Sequence, residues 1–141
     1  MRPDRFESFL ISLAKTGEGA RQVSTLRDAG DTTHPYGIAV TLGDREVRYQ
    51  ITAQSAPGER YEQPEEPVEG EPAPTMGDPV VPAGPVGPGE AEGWLAAVLA
   101  AARSPEVQRV ERWSVREGAH GGHAGVTAHF HNGGRAFVRV M

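Results

Sequence analysis

Two stretches of this chain run through the same succession of hydrophobic periods, helical first and strand-like afterwards, while the stretch between them has no period at all. In residues 3–16, Phe6, Phe9, Leu10 and Leu13 recur at the three-and-four spacing of a helix with one apolar face. Pro3 and Asp4 suit its first turn, and Gly17 can close it in a left-handed conformation. Residues 21–27 carry a weaker strand pattern. In residues 36–42, Ile38, Val40 and Leu42 alternate with smaller or polar neighbours. Gly43 and Asp44 then supply a tight turn, and residues 46–52 return with Val47, Tyr49 and Ile51 on one face.

The later stretch follows the same plan. Residues 92–103 read as a helix with Trp94, Ala97, Val98 and Ala101 on its apolar side, stopped by Ser104 and Pro105. Strands are predicted over 107–116, 123–131 and 135–141, with Val126, Ala128 and Phe130 matching Ala136, Val138 and Val140. Phe6 and Trp94, Val23 and Val110, Leu26 and Trp113, Gly37 and Gly125, and Ile51 and Val140 lie 87 to 89 residues apart. The pattern therefore predicts an α+β fold of two tandem αβββ units, residues 1–56 and 92–141. This internal pseudo-repeat would pack as one body, an antiparallel sheet with both helices on one face. One six-stranded sheet and two facing three-stranded sheets both satisfy it.

Residues 57–91 change the picture through composition. Nine of these 35 residues are proline and six are glycine, and eight acids stand against Arg60 alone. Such a stretch buries little apolar surface to offset its ordering cost, so it reads as an extended acidic linker. It also carries the charge of the whole chain. The formal net charge is −5, yet residues 1–56 are balanced, the linker carries −7 and residues 92–141 carry +2. Near-neutral flanking units argue against an acidic nucleic-acid mimic, and equally against a basic nucleic-acid binder. With no cysteine, disulfides, thiolate metal sites and cysteine nucleophiles are excluded. Neither a signal peptide nor a membrane span is expected. Thirteen arginines against the single Lys15, with abundant Ala, Gly and Pro, give a composition of the GC-rich, actinobacterial type.

Candidate chemistry is concentrated late in the chain. His120, His123, His129 and His131 fall within twelve positions, and neutral imidazoles are common metal ligands. On a strand, His129 and His131 point to the face opposite Val126, Ala128 and Phe130, and Arg135, Phe137 and Arg139 share that face. No nucleophile elbow and no phosphate-binding loop is present, so no catalytic residue is nominated. The reading these features favour is a non-enzymatic protein-binding or adaptor module, of a small-chaperone, immunity or assembly-factor type. Its docking residues would be His129, His131, Arg135, Phe137 and Arg139, with no cofactor, a cytoplasmic location and a monomeric or homodimeric state. A histidine metal site built from His120, His123, His129 and His131 is the second class. Single-stranded nucleic-acid binding by the Arg, His and Phe face is the third and less expected one.

Overall fold

The computed structural model describes residues 1–17, 19–81, 83–115 and 123–141. Its elements are α1 (Pro3–Thr16), β1 (Ala20–Thr25), β2 (Gly37–Leu42), β3 (Arg45–Gln54), α2 (Pro88–Ala101), β4 (Val107–Arg112), β5 (Gly125–Phe130) and β6 (Arg135–Val140). The chain is thus α+β, and the strands form one six-stranded antiparallel sheet in the order β1-β2-β3-β6-β5-β4. At its centre β3 pairs with β6, from Tyr49 opposite Val140 to Gln54 opposite Arg135.

Alternation along each strand sends Ile38, Val40, Leu42, Val47, Tyr49, Ile51, Val126, Ala128, Phe130, Ala136 and Val138 into one core with both helices. Helix α1 contributes Phe6, Leu10 and Ala14 to it. The Phe6 ring meets Phe130 edge-on at 5.8 Å, and Tyr49 lies 6.5 Å from Trp94. Each such buried aromatic stabilises the fold by about 1.5–3 kcal/mol. The Tyr49 hydroxyl donates to the Ala91 carbonyl at 2.9 Å, so this fully buried side chain leaves no polar atom unsatisfied. Burial pushes its phenol well above the ordinary range.

Several local expectations are corrected. Helix α2 begins at Pro88, not Glu92, because an extended Gly87 precedes a proline whose missing N–H costs nothing in the first turn. The earlier start carries Ala91 and Glu92 into the interior. Nor does α2 have a narrow apolar stripe: Ala91 to Ala100 is buried at every position except Gly93, whereas Ala101 is exposed. Gly17 is extended (φ −75°, ψ 138°), and the left-handed turn into β1 is made by Gly19 at φ +82°. Strand β4 stops at Arg112, because Trp113 leaves the edge to lie against Gly125.

The segment between β3 and α2 holds no helix or strand among the described residues, as its composition implies, but it is not a free spacer. It is a strap, tied down at several points. Arg2 bonds Glu59 at 2.9 Å and the carbonyls of Arg60 and Gln63, and its guanidinium sits 4.9 Å from the centre of the Tyr61 ring. Arg5 bonds Glu65 at 2.6 Å and also reaches Glu106. Further on, Ala73 and Val86 are buried in the core, and Arg45 holds the Val86 carbonyl at 2.9 Å.

Candidate functional site

The sheet face turned away from the helices carries four of the five nominated docking residues, His129, Arg135, Phe137 and Arg139, and the strand register fixes their neighbours. Arg139 lies between Gln50 and Gly125, Phe137 between Thr52 and Thr127, and Arg135 between Gln54 and His129. Beyond His129 and Thr127 lie Arg109 and Glu111 of the edge strand. Residues four apart on a strand are separated by roughly 13 Å, so Arg135 and Arg139 bracket the half-buried Phe137 ring. Both arginines are exposed, and neither guanidinium has a hydrogen-bond or ion-pair partner among the described residues.

The rest of the face is internally satisfied. His129 Nε2 lies 3.1 Å from an Arg109 guanidinium nitrogen and 3.2 Å from Glu111 Oε1. Unprotonated, that nitrogen accepts from Arg109; protonated, it donates to Glu111, so the ring makes one of the two bonds at a time. In the first half, Arg48 is bonded to Glu46 at 2.6 Å and to the Ala29 carbonyl at 3.0 Å. The Trp113 indole N–H donates to Thr127 Oγ1 at 2.9 Å, which accounts for the burial of that hydroxyl.

The histidines do not converge. His129 stays on the face. His131 falls just past the end of β5, where its ring lies over Gly70 and its Nε2 donates to the Glu71 carbonyl at 2.8 Å. It therefore contacts the strap. His123 is exposed just before β5, and His120 lies outside the described residues. Among the described residues, no three His, Asp or Glu side chains are grouped so as to hold a metal ion. No described helix is long and apolar enough to cross a membrane.

What positions the face is a residue the sequence pattern passed over. Glu92 is fully buried in α2, and its carboxylate accepts from Arg112 Nε at 2.8 Å, the Ser114 N–H at 3.1 Å, the Ser114 hydroxyl, and the Gly125 N–H at 2.9 Å. Burial alone would raise its pKa. The bonds from Ser114, Gly125 and Arg112 outweigh that and hold the carboxyl below its usual range. One side chain thus pins both ends of the connection from β4 to β5. The first half has a counterpart: Glu7 accepts the Gly37 N–H at 2.9 Å. Both glutamates are the fifth residue of a helix that starts with proline.

Over each of these glycines lies the first side chain after the preceding strand, Leu26 on Gly37 and Trp113 on Gly125. Leu26 and Trp113 each donate their backbone N–H to that glycine's carbonyl at 3.0 Å. A methyl group would not fit at either glycine. At Gly37 it would stand 2.3 Å from the Tyr49 carbonyl, and at Gly125 2.5 Å from the Val138 carbonyl and from the Trp113 ring. The shared P-x-x-x-E spacing of Pro3–Glu7 and Pro88–Glu92 is the sequence signal that marks these acids. No protein family, curated protein or solved structure matches this chain.

Proposed function

We propose that this chain is a non-enzymatic docking module built from two copies of one αβββ unit, whose second copy presents an arginine and phenylalanine platform to a protein partner. The duplication is supported by the mirrored strand order and by the paired Glu–Gly–cap arrangements. It is also supported by the central register. At an offset of 89, Gln50 and Arg139 are equivalent positions, and they stand opposite each other. Tyr49 opposite Val140 and Ile51 opposite Val138 are then the same pair seen from either side of a local twofold axis.

The observation that carries the functional reading is the row Arg135, Phe137 and Arg139 on a central strand, with neither guanidinium group partnered among the described residues. A half-buried aromatic ring between two exposed cations suits an acidic protein segment, because arginine reads carboxylates bidentately and an aromatic supplies contact area at low entropic cost. An antiparallel sheet whose helices all lie on one side leaves the other as a suitable platform for such contact. Glu46 and Glu111 on the same face, and the near-neutral charge of the flanking units, weigh against a phosphate backbone as the ligand.

The test places a photo-crosslinking residue at Phe137 in cells of the source, identifies the captured protein, and measures its binding to purified chain. Arg135→Glu/Arg139→Glu is expected to weaken binding by about tenfold or more while shifting unfolding by less than about 0.5 kcal/mol. Undiminished binding by that variant would refute the platform. Tight, steeply salt-dependent binding of oligo-dT to the wild type would replace the protein reading with the nucleic-acid one.

A further inference from the structure

Residues Gly70–Ala73 of the strap are held mainly through their backbone. The Gly70 N–H donates to the Pro105 carbonyl at 2.7 Å, and the Ala73 N–H donates to the Val107 carbonyl at 3.0 Å. His131 Nε2 donates to the Glu71 carbonyl at 2.8 Å, and an Arg103 guanidinium nitrogen to the Ala73 carbonyl at 2.6 Å. The segment lies along the outer edge of the sheet at the start of β4, in the manner of an added strand.

Side-chain fit is selective at two positions only. A Cβ at Gly70 would stand 2.5–2.8 Å from the atoms of the His131 ring, and Ala73 is buried to 2% exposure. The Glu71 side chain is exposed, and Pro72 has no N–H to satisfy. Arg103, which completes the seat, is one of two described non-glycine residues with positive φ (+51°). A left-handed non-glycine residue costs about 1–2 kcal/mol, and such strain collects where a side chain must be aimed.

We propose that the start of β4, with His131 and Arg103, is an acceptor site for an extended Gly-x-Pro-Ala segment, which the strap fills in cis. In trans, a partner carrying an extended segment of that pattern would take the same four hydrogen bonds and add to the sheet edge. Tethering gives the strap a high effective concentration, so a free segment competes only when the strap is loosened. The means of loosening lies upstream, where Arg2 and Arg5 grip Glu59 and Glu65 through ion pairs that solvent and salt can reach. This site is at the sheet edge and does not rest on the docking-face reading.

The experiment titrates full-length chain into a fluorescein-labelled peptide of residues 68–75 and follows fluorescence anisotropy. Two variants loosen the cis segment independently: Gly70→Val by clash with His131, and Glu59→Gln/Glu65→Gln by loss of the ion pairs. Circular dichroism shows which of them are folded. Each folded variant is expected to bind the peptide about tenfold more tightly than wild type. Adding His131→Ala, or placing valine at the peptide's Gly70, should abolish that gain. Equal binding by wild type and the folded variants overturns the proposal, and so does a gain that survives either of those changes. Amide exchange on the wild-type chain is the independent check. Protection of the Gly70 and Ala73 amides by roughly 100-fold is expected, and no protection overturns cis occupancy.

Discussion

Glu92 offers the sharpest test of how the second half is held together. Glu92→Ala removes the acceptor for the buried Gly125 N–H, for the Ser114 N–H and hydroxyl, and for Arg112. Ser114 is exposed and the Arg112 side chain is 30% exposed, so both rehydrate. The stranded Gly125 donor dominates, at about 1–3 kcal/mol, and the loss of the other bonds brings the expected cost to roughly 2–4 kcal/mol. That is a large part of the ~5–15 kcal/mol by which domains are stable. Glu92→Gln keeps the shape and one acceptor but turns an amide NH2 toward donors, so it should cost about 1–2 kcal/mol. Because the folded-state pKa lies below the ordinary 4.5, the carboxylate stabilises the protein above that value, and this contribution fades as pH falls through the folded pKa. The gap between wild type and Glu92→Gln should therefore be full at neutral pH and shrink in strong acid. Urea unfolding at both pH values, followed by Trp94 and Trp113 fluorescence, measures it. Glu65, also held low, is common to both proteins and cancels. A gap of the same size at both pH values would refute the assigned role of the charge, and equal stability at neutral pH would refute the network.

Two further tests follow from the packing. Gly37→Ala and Gly125→Ala should each destabilise by about 2–3 kcal/mol in urea unfolding, since the added methyl meets a strand carbonyl that cannot move aside; losses below about 0.5 kcal/mol would show that the cap residues yield instead. Arg5→Ala frees Glu65 and Glu106, but at 38% exposure its ion pairs support less than about 1 kcal/mol of global stability. Its effect should be local: faster proteolysis within residues 59–75, mimicked in the wild type by high salt, with an unchanged rate counting against the grip.

What could be read from the sequence followed from how local each signal is. The helix at residues 3–16 and the alternation through Ile38, Val40 and Leu42 are written in neighbouring residues, and each appears where its period places it. Pairing of β3 with β6 joins residues 81 to 91 positions apart, so the pattern allowed it without selecting it over two separate sheets. The strap shows composition pulling against a few specific contacts. Proline, glycine and like charge argue for a free spacer, yet Arg2 and Arg5 sit in or beside the first turn of α1 and meet Glu59 and Glu65 only in three dimensions. On the sheet face turned away from the helices, alternation alone grouped His131 with His129. The strand ends at Phe130, and that one-residue difference turns His131 from the face to the strap. Glu92 escaped notice because an acid in an apolar helix reads as solvated; only the Ser114, Gly125 and Arg112 donors brought to it by folding make burial tolerable.

Under the proposed duplication, the contrast between matched positions bears on why one half would dock a partner and the other not. Offset by 89, Arg135, Phe137 and Arg139 correspond to Glu46, Arg48 and Gln50. In the first half the cation is neutralised within the chain, by Glu46 and by the Ala29 carbonyl. In the second half the acid is replaced by arginine, and the central position holds an aromatic ring. Two exposed cations roughly 13 Å apart are screened from each other and add nothing measurable to the fold. On the docking proposal, stability and recognition are thereby assigned to different atoms of the same sheet. Glu92 and Gly125 set the frame from the buried side, so their substitution should unfold the platform along with everything else. Arg135 and Arg139 stand on that frame without supporting it, so their substitution should remove binding and leave the unfolding curve in place.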